Sequence, residues 1–490
     1  MSEAQETAVP LSRDGQPILF PQLPYRMHDR VRSFVQDQTI QRFVNKTTLL
    51  KDNARKKLAG ELFGDDHPAW RELAGQIKAH TLDHLDHYVD RFVEQATAAG
   101  AQVHFASDAE EANAICRWIV ESEGLRRCVK SKSMVTEETH LVPELEKAGV
   151  EAVETDLGEF ILQLDHDAPS HIVTPMIHKD RVSVARAFAR ELNSDYTEDA
   201  GELTKIARRY LREKYQAADL GISGANFLVA ETGSVVLCTN EGNGRFCTTA
   251  PRVHIALAGI EKLVPDTRHL TVLLKLLART STAQPLTVYT HILTGPRRPH
   301  EHDGPEQLHI ILLDNGRTRI LAQPEYRDAL RCIRCGACLN ACPVYRKVSG
   351  HSYGAVYSGP IGAVITPLLR GRENYPDLPH ASSLCGACYE ACPVKIDLPR
   401  MLVDLRRDLV ERRPGNWRER LAYRLAASTL RYPRAYRVAT RLSGVVLRRL
   451  AGTDGHIRHA PGPLRHWTDG RDLPAPPAES FRKWWERTRK

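Results

Sequence analysis

The sequence predicts an α/β protein in which N-terminal helices precede an α/β domain, a helical cysteine-rich module and a basic helical C-terminal extension. Three observations predict this order. Apolar residues recur every three to four positions between residues 26 and 100, as they do on the buried face of helices. Strand and helix patterns then alternate up to residue 315, which is typical of a largely parallel sheet. Seven of the eleven cysteines follow between residues 316 and 400.

The length of the chain argues for several domains. At 490 residues it is too long for one hydrophobic core, and a rule of about 150 residues per domain predicts two to four. We expect four segments, which are an N-terminal helical segment, an α/β domain, a helical module and a C-terminal extension, at 1–100, 101–315, 316–400 and 401–490.

Composition and termini indicate a cytoplasmic chain. No run of eighteen apolar residues predicts a membrane-spanning helix. The N-terminal stretch "MSEAQETAVPLSRDGQP" carries Glu3 and Glu6 and lacks an apolar stretch, so we expect no secretory signal. Cytoplasmic cysteines are reduced, and their close spacing favours metal or redox chemistry over disulfides.

The α/β domain begins with the predicted strand "AQVHFA", followed by a helix in "SDAEEANAICRWIVESEG" that Ser107 can cap. Further along, "SHIVTP" is expected to be a strand and "DRVSVARAFARELN" a helix. The runs "FLVAETGSVVLCT", "RVHIALAG" and "LHIILLDNG" complete the strand pattern. "GISGAN", directly before the first of these runs, has two glycines three apart, which makes it a candidate phosphate loop.

The first cysteine motif is "CIRCGACLNACP". It matches the C-x2-C-x2-C-x3-C-P run of bacterial ferredoxins, in which three thiolates bind one cubane and the fourth binds the other cluster. Gly336 allows the backbone to approach the cluster closely. The motif therefore predicts iron–sulfur ligands, which are Cys332, Cys335, Cys338 and Cys342.

The second motif, "SSLCGACYEACP", supplies three cysteines and has Ser382 where the pattern requires a fourth. Cross-ligation between the motifs then assigns two [4Fe-4S] clusters. Cluster one takes Cys332, Cys335, Cys338 and Cys392. Cluster two takes Cys342, Cys385 and Cys388, and one of its irons has no assigned thiolate.

Two questions stay open at this motif pair. Paired C-x2-C units also form zinc ribbons, although three close cysteines followed by C-x3-C-P exceed what zinc needs, so we favour iron–sulfur clusters. The last iron could be bound by a Ser382 alkoxide or by a remote thiol such as Cys238 or Cys247. We favour the third option, an open iron or one whose ligand a partner subunit supplies.

A basic stretch lies between Glu411 and Leu450, where eleven arginines stand against two glutamates. It suits an acidic partner or an anionic membrane surface, or it forms a solvated helix pair. No zinc-finger, RNP or helix-turn-helix pattern accompanies it, so we expect no nucleic-acid partner.

The two cysteine motifs and "YSGPIGAVITPLL" between them resemble the LutB family, the iron–sulfur subunits of bacterial L-lactate utilisation. "GISGANFLVAETGSVVL", "APRVHIALAGIEKLVP" and "GPEQLHIILLDNGR" resemble the LUD domain of that family, and "PLRHWTDGRDLPAPPAESFRKWW" resembles its C-terminal extension. The resemblance covers nearly the whole chain. Members carry seven such cysteines in the same order, so the resemblance implies that the missing eighth is a family feature.

The resemblance implies a fold and a function. The α/β domain is expected to be similar to the sugar-isomerase and CoA-transferase fold, and "AETGS" then puts Glu231, the candidate catalytic residue, in a turn at a strand end. The alternative is a hairpin turn with Gly233 at positive φ. The implied function is to pass electrons within a complex that oxidises L-lactate to pyruvate. Its other subunits would be a cysteine-rich oxidase-like subunit and a second LUD-domain protein.

Two other functions stay open. The chain could be an enzyme that acts on a carboxylate or CoA ester in the α/β domain, or a redox-sensing module. We expect a non-catalytic electron-transfer subunit, because removing a hydride from a 2-hydroxy acid requires a flavin or a nicotinamide. Its expected location is the cytoplasm, with peripheral contact at the inner face of the membrane as a further option.

Overall fold

The computed structural model describes residue 19 and residues 21–412, 417–462, 465–468 and 471–489. The chain divides into two compact units, Met1–Leu409 and Val410–Lys490, which are described separately. The N-terminal stretch 1–17, from which we expect no secretory signal, lies outside the described residues.

The predicted N-terminal helices are present, and they are α1 Met27–Gln36, α2 Gln38–Phe63, α3 His67–Asp83 and α4 Leu85–Ala98. Asp37 begins α2 by accepting hydrogen bonds from the N–H groups of Thr39 and Ile40. Beyond α4, Gly100 takes a φ of 95°, the left-handed conformation that glycine permits. Buried side chains of α2 and α3 share one core with the cysteine-rich module.

The α/β domain is built on ten described strands. They are β1 Gln102–Ala106, β2 Arg127–Lys130, β3 Glu151–Glu154, β4 Leu220–Ser223, β5 Phe227–Val229, β6 Ser234–Thr239, β7 Val253–Gly259, β8 Leu263–Val264, β9 Tyr289–Leu293 and β10 Gln307–Leu313. Six of them form a parallel sheet in the order β1-β10-β7-β4-β2-β3. The other four form a mixed sheet in the order β8-β5-β6-β9. The predicted parallel sheet is therefore confirmed.

Both faces of the parallel sheet are covered, which is why its central strands are continuously apolar. All seven residues of β7 are buried. Ile255 and Leu257 pack with one core, and Ala256 and Ala258, which point the other way, pack with a second core that includes Phe92 of α4.

Nine described helices accompany these strands. They are α5 Ala109–Glu123, α6 Met134–Glu138, α7 Leu141–Lys147, α8 Leu157–Leu164, α9 Arg181–Glu191, α10 Ala200–Ala217, α11 Asn243–Thr249, α12 Thr267–Ser281 and α13 Arg317–Leu321. Two local predictions were wrong. Asp108 rather than Ser107 caps α5, because its carboxylate accepts from the N–H of Glu111 while Ser107 donates to the Glu111 carboxylate. "SHIVTP" is an irregular loop that hydrogen bonds to itself from Ser170 to Pro175 rather than to a strand.

The cysteine-rich module is helical, as predicted, and its helices are short. They are α14 Ala337–Ala341, α15 Tyr345–Val348, α16 Gly359–Arg370, α17 Ala387–Ala391 and α18 Leu398–Arg412. Short 3₁₀ turns at Arg327–Arg331, His351–Tyr353 and Leu378–His380 join them. Loops and turns therefore form much of the backbone around the cysteines.

The C-terminal unit consists of α19 Trp417–Arg431, α20 Pro433–Leu450, α21 Arg465–Thr468, α22 Phe481–Thr488 and a two-stranded sheet of β11 His456–Ile457 and β12 Leu473–Pro474. Helices α19 and α20 expose large apolar side chains such as Tyr423, Leu430 and Leu442 beside their arginines. In the described part of the chain no helix has the length and apolar character that crossing a membrane requires.

Candidate metal centre

The two cysteine motifs have the same backbone conformation, fifty residues apart. Gly336 and Gly386 both have positive φ, 74° and 83°, and each begins a five-residue helix, α14 or α17. Two positions earlier, Arg334 and Leu384 also have positive φ, 60° and 54°. Positive φ at a residue other than glycine is uncommon, so its recurrence at matched positions marks two copies of one loop.

Backbone N–H groups in these loops donate to cysteine sulfurs. The N–H of Arg334 donates to Cys332 Sγ, that of Tyr345 to Cys342 Sγ and that of Ile396 to Cys392 Sγ, each at 3.4 Å. Hydrogen bonds to sulfur stabilise the negative charge of a thiolate and tune the potential of a cluster that it binds. The loops therefore place hydrogen-bond donors where a ligating thiolate would need them.

The four cysteines assigned to cluster one line a single cavity. Its wall contains Cys332, Cys335, Cys338 and Cys392 together with apolar side chains such as Ile361 and Leu398. Burial, together with negative charge on Cys332, raises the pKa of Cys392 to about 11. The four cysteines that the sequence assigns to cluster one thus line one cavity, although Cys332 and Cys392 are sixty residues apart, and their role as ligands stays a prediction.

The three cysteines assigned to cluster two are also neighbours. Burial raises the pKa of Cys388 to about 12, with further contributions from negative charge on Cys342 and Cys385. Burial raises the pKa of Cys338 in the first set, and Cys388 is among the charges that add to this rise. The two sets of sulfurs therefore lie next to each other.

The two sets differ in their access to solvent. Cys335 and Cys392 are each 7% exposed, whereas Cys385 is exposed. Ser382 and Cys385 lie in a surface segment that also exposes Leu384. Arg71 of α3 fixes the other end of this motif, because its guanidinium donates to the carbonyl oxygens of Tyr389 and Cys392 at 2.8 and 2.9 Å. Cys332 and Cys338 of the first set are half-buried and Cys342 and Cys388 of the second set are buried, so Cys385 is the one exposed cysteine of the seven.

Ser382 replaces the missing thiol in geometry as well as in sequence. The N–H of Leu384 donates to Ser382 Oγ at 3.1 Å, just as the N–H of Arg334 donates to Cys332 Sγ. The hydroxyl is a hydrogen-bond acceptor in its own loop. The two remote candidates have other surroundings: Cys247 lies 3.2 Å from Thr155 Oγ1 in the α/β domain, and Cys238 is on β6.

The spacing of the sulfurs distinguishes a cluster from a zinc ion. Among the described residues no three cysteine sulfurs lie mutually within 4.8 Å. Sulfurs that share one zinc at about 2.3 Å lie about 3.8 Å apart. The described sulfurs are therefore not gathered as three ligands of one zinc ion, and it is the C-x2-C-x2-C-x3-C-P pattern with its N–H donors that fits [4Fe-4S] clusters.

Burial disfavours free thiolates at these cysteines. Burial raises the pKa of Cys335 and Cys338, so without a cation both stay protonated at neutral pH. Metal ligation deprotonates a thiol outright, because the cation supplies the charge that burial removes. These side chains are suited to hold a metal cluster rather than to react as free nucleophiles.

A buried ion-pair network joins the α/β domain to this module. Arg317 Nε donates to Glu261 at 2.6 Å, and its two terminal nitrogens donate to the Glu138 carboxylate at 2.9 Å each. These side chains are between 1% and 5% exposed. Burial opposes the ionisation of Glu261, but the charges of Arg317 and Arg334 hold its pKa at about 2.

The cysteine-rich module completes that network with two side chains. The Tyr357 hydroxyl donates to Glu138 at 2.6 Å, and the Arg334 guanidinium lies 4.6 Å from the Tyr357 ring centre and 3.5 Å from Glu261. Arg334 stands between two cluster-one cysteines in the sequence. The network therefore holds the cluster-one loop against the carboxyl edge of the parallel sheet. Sequence reasoning missed it, although "AGIEKL" and "DNGR" contain two of its residues.

Comparison with known families gives three consecutive matches. Residues 89–313 match the LUD domain, residues 328–396 a 4Fe-4S dicluster domain and residues 411–490 the C-terminal region of lactate utilisation protein B. A protein from Shouchella clausii named Lactate utilization protein B is 48% identical over 86% of this chain and 88% of its own length. The chain belongs to the lactate utilisation protein B family.

Other members of this family match over similar spans. Lactate utilization protein B of Bacillus subtilis is 47% identical over 85% of this chain and 87% of its own length. Lactate utilization protein B 1 of Bacillus mycoides is 44% identical over 94% and 95%. A crystal structure of a DUF162 family protein from Deinococcus radiodurans aligns with 47% of this chain and 98% of its own, at 14% identity and a TM-score of 0.27.

The family resemblance singled out Glu231 in the LUD domain, and the structure places it in a hairpin. Strands β5 and β6 are antiparallel, and Gly233 in their turn has a φ of 65°. Glu231 Oε2 accepts hydrogen bonds from the N–H and the hydroxyl of Thr267, the first residue of α12. The described contacts of Glu231 are thus those of a helix cap, and its catalytic role stays a prediction.

"GISGAN" does not form a phosphate loop. That motif requires a helix after the glycines, whereas strand β5 follows Asn226, so the interpretation was wrong. The glycines serve close packing instead. A Cβ on Gly221 would lie 1.8 Å from the carbonyl oxygen of Cys247, and one on Gly224 would lie 2.5 Å from Ser133 Oγ.

Proposed function

We propose that this chain is an iron–sulfur electron-transfer component of a complex that oxidises L-lactate to pyruvate. Membership of the lactate utilisation protein B family and the dicluster domain support a role in lactate utilisation with iron–sulfur chemistry. The finer proposal is that two [4Fe-4S] clusters act in series. The proposed ligands are Cys332, Cys335, Cys338 and Cys392 for cluster one, and Cys342, Cys385 and Cys388 for cluster two.

The observation that carries this proposal is the different exposure of the two neighbouring cysteine sets. A [4Fe-4S] cluster, when bound, accepts and donates single electrons. No cysteine of the first set is exposed, whereas Cys385 of the second set is exposed beside the buried Cys342 and Cys388. This arrangement suits transfer between the interior of the subunit and a protein docked at its surface.

Lactate oxidation itself is assigned to a partner. Removal of a hydride from a 2-hydroxy acid requires a flavin or a nicotinamide, and a single-electron centre cannot accept it in one step. We therefore propose a cysteine-rich oxidase-like subunit and a second LUD-domain protein as partners. The surface around Cys385 and Leu384 is where a partner would supply the last ligand of cluster two, if that iron is not open.

The alternative functions have less support. An enzyme acting on a carboxylate or CoA ester through Glu231 needs that carboxylate free, but Glu231 Oε2 accepts hydrogen bonds from the N–H and the hydroxyl of Thr267. A redox-sensing module needs only one cluster whose state changes a contact. The second, adjacent set of cysteines favours electron transfer over sensing.

The basic C-terminal unit suits an attachment role. Helices α19 and α20 expose both arginines and large apolar side chains, a combination typical of segments that bind anionic membrane surfaces or acidic partners. We propose that the chain acts in the cytoplasm, at the inner face of the membrane.

A reductive titration tests the two-cluster proposal. The anaerobically purified chain is titrated with dithionite while its visible absorption is recorded. We expect the chain to take up two electrons, one for each cluster. Uptake of one electron, or of none, would contradict the proposal. Cys342→Ala, which removes a ligand from cluster two alone, is the control that should leave one electron.

A further inference from the structure

Another cavity lies at the carboxyl edge of the parallel sheet. Its wall includes the residues that directly follow three strands, which are 131–133 after β2, Asp156 after β3 and 224–226 after β4. Ligands of open parallel sheets bind at this edge. The cavity volume is about 330 Å³, enough for a small molecule.

This cavity adjoins the one that the cluster-one cysteines line. Arg334 and Ile172 belong to the walls of both. Because Arg334 stands two residues from Cys332 and one from Cys335, a molecule bound here would lie beside the cluster-one loop. The family matches and the cysteine motifs assign no ligand to this space.

The wall of the cavity carries an excess of positive charge. Four basic side chains line it, against two carboxylates, Asp156 and Glu241. The basic residues are Lys51, Lys132, Lys262 and Arg334. Positive charge in a partly enclosed cleft raises the local concentration of anions and favours their binding.

Two of these cations have hydrogen-bond donors that the described residues leave unused. Lys262 is only 7% exposed, and in the described part of the chain it makes no hydrogen bond or ion pair. By contrast, the ammonium group of the equally buried Lys78 donates to two carbonyl oxygens, those of Glu261 and Leu263, at 2.6 and 3.0 Å. A largely buried ammonium group gains from a hydrogen-bonding anion, so Lys262, which lines the cavity, is a candidate ligand for one.

Arg334 supports the same conclusion. Its Nη1 is buried and has no hydrogen-bond partner among the described residues, and its Nη2 reaches Glu261 only at 3.5 Å. Guanidinium groups bind carboxylates through a matched pair of hydrogen bonds. Lys262 lies close enough to Arg334 that the arginine's charge helps burial to lower the pKa of Lys262 to about 8.

The remaining wall limits the size and chemistry of the ligand. Ile172 and Leu277 offer apolar surface for a short carbon chain, and the hydroxyl of Ser281 offers a partner for a second oxygen. We propose that this cavity binds a short 2-hydroxy- or 2-oxo-carboxylic acid whose carboxylate is held by Lys262 and Arg334. The choice of these acids among carboxylates rests on the proposed function, whereas the anion site does not.

Calorimetric titration of the anaerobic, iron-loaded chain tests this proposal. The probes are pyruvate, L-lactate and L-lactamide, which keeps the shape of lactate without its negative charge. We expect a carboxylate probe to bind and L-lactamide to bind at least about tenfold more weakly. Lys262→Met should weaken carboxylate binding by about tenfold or more. Lys205→Met, which removes the same charge from the exposed surface of α10, should leave it unchanged.

A second variant protects the test against loss of the cluster. Ser281→Leu fills the cavity from α12 without removing a charge, and it should also weaken binding by about tenfold or more. The proposal is overturned if neither acid binds, if L-lactamide binds as tightly as L-lactate, or if both variants bind the acids like the wild type.

Iron, sulfide and electron uptake are measured on the same samples. Absence of binding in a chain that carries both clusters overturns the cavity proposal and leaves the proposed function intact. Absence of the clusters from the wild type overturns the proposed function instead.

Discussion

The N–H of Leu384 donates a hydrogen bond to Ser382 Oγ at 3.1 Å. The matching bond in the first loop ends on Cys332 Sγ, so the serine hydroxyl has the partner of a ligating sulfur without its acidity. A serine hydroxyl must lose a far less acidic proton than a thiol to bind iron. We therefore expect Ser382→Ala to keep its cluster content and its relay activity nearly unchanged, as measured by iron analysis and electron uptake.

Cys385→Ala is the matched control for that variant. It removes one of only three thiolates from cluster two, and we expect that cluster to be lost. If Ser382→Ala lost cluster two to the same extent as Cys385→Ala, serine would be a ligand and the assignment of an open or partner-completed iron would be wrong.

Ser382→Cys should lower the reduction potential of cluster two. The added thiolate would stand where the ferredoxin pattern places one and would raise the negative charge beside cluster two. Ligand type and net charge set the reduction potential, so we expect a lower potential for this cluster. A redox titration followed by electron paramagnetic resonance measures the shift, and a raised potential would contradict the prediction.

The metal content distinguishes clusters from zinc. The anaerobically isolated chain should carry about eight irons with matching sulfide, and a broad absorption near ~400 nm. Stoichiometric zinc without sulfide would eliminate the assignment. The C-x2-C-x2-C-x3-C-P pattern of the first motif leads us to expect iron.

The buried network between the α/β domain and the cluster module should contribute strongly to stability. Arg317→Met leaves Glu138 and Glu261 buried without their main partner, and breaking a buried pair typically costs about 3–5 kcal/mol. Arg252→Met breaks an ion pair with Glu123 in which the two side chains are 39% and 28% exposed, and it should cost less than about 1 kcal/mol.

Thermal unfolding of these two variants, with iron content recorded beside it, measures the difference. We expect a clearly lower midpoint for Arg317→Met than for Arg252→Met. Equal midpoints would show that the network does not hold the cluster-one loop.

The basic helices should bind an anionic surface in a salt-dependent way. Attraction between surface charges is screened within about 8 Å at physiological ionic strength, so association should weaken as salt rises. Sedimentation with vesicles that contain anionic lipid, and co-purification with the partner subunits, measure it. Reversal of Arg434, Arg437 and Arg441 to glutamate should abolish the association.

The control for that experiment reverses three exposed arginines of α10, which are Arg208, Arg209 and Arg212. This variant changes the net charge equally and should bind like the wild type. Association that is insensitive to salt in both the wild type and the α20 variant would refute the attachment role.

Much of the fold could be predicted because its signals are local or periodic. The all-buried strand β7 is visible as an apolar run, and the cysteine spacing predicts a loop that the positive φ of Gly336 confirms. "SHIVTP" misled for a physical reason. Its apolar residues are buried by contact with the cluster module, where the His171 ring lies beside Asn340, and not by pairing in a sheet.

The unpredicted features depend on contacts between distant segments. Arg317 is adjacent to Glu138 and Glu261 only after the sheet has formed, and a lone arginine after "DNG" carries no sign of burial. Lys262 was also unpredictable, because its burial and the absence of a hydrogen bond to it among the described residues arise only in the folded cavity. Four of the cysteines could be grouped from sequence only because the ferredoxin pattern encodes its own cross-ligation.

The central claim is that this chain relays electrons and does not oxidise lactate by itself. The most direct measurement is the oxidation of L-lactate by the purified, iron-loaded chain with an artificial electron acceptor, alone and then with the partner subunits added. We predict no turnover by the chain alone and turnover when the partners are present. Turnover of lactate by the chain alone would contradict the account.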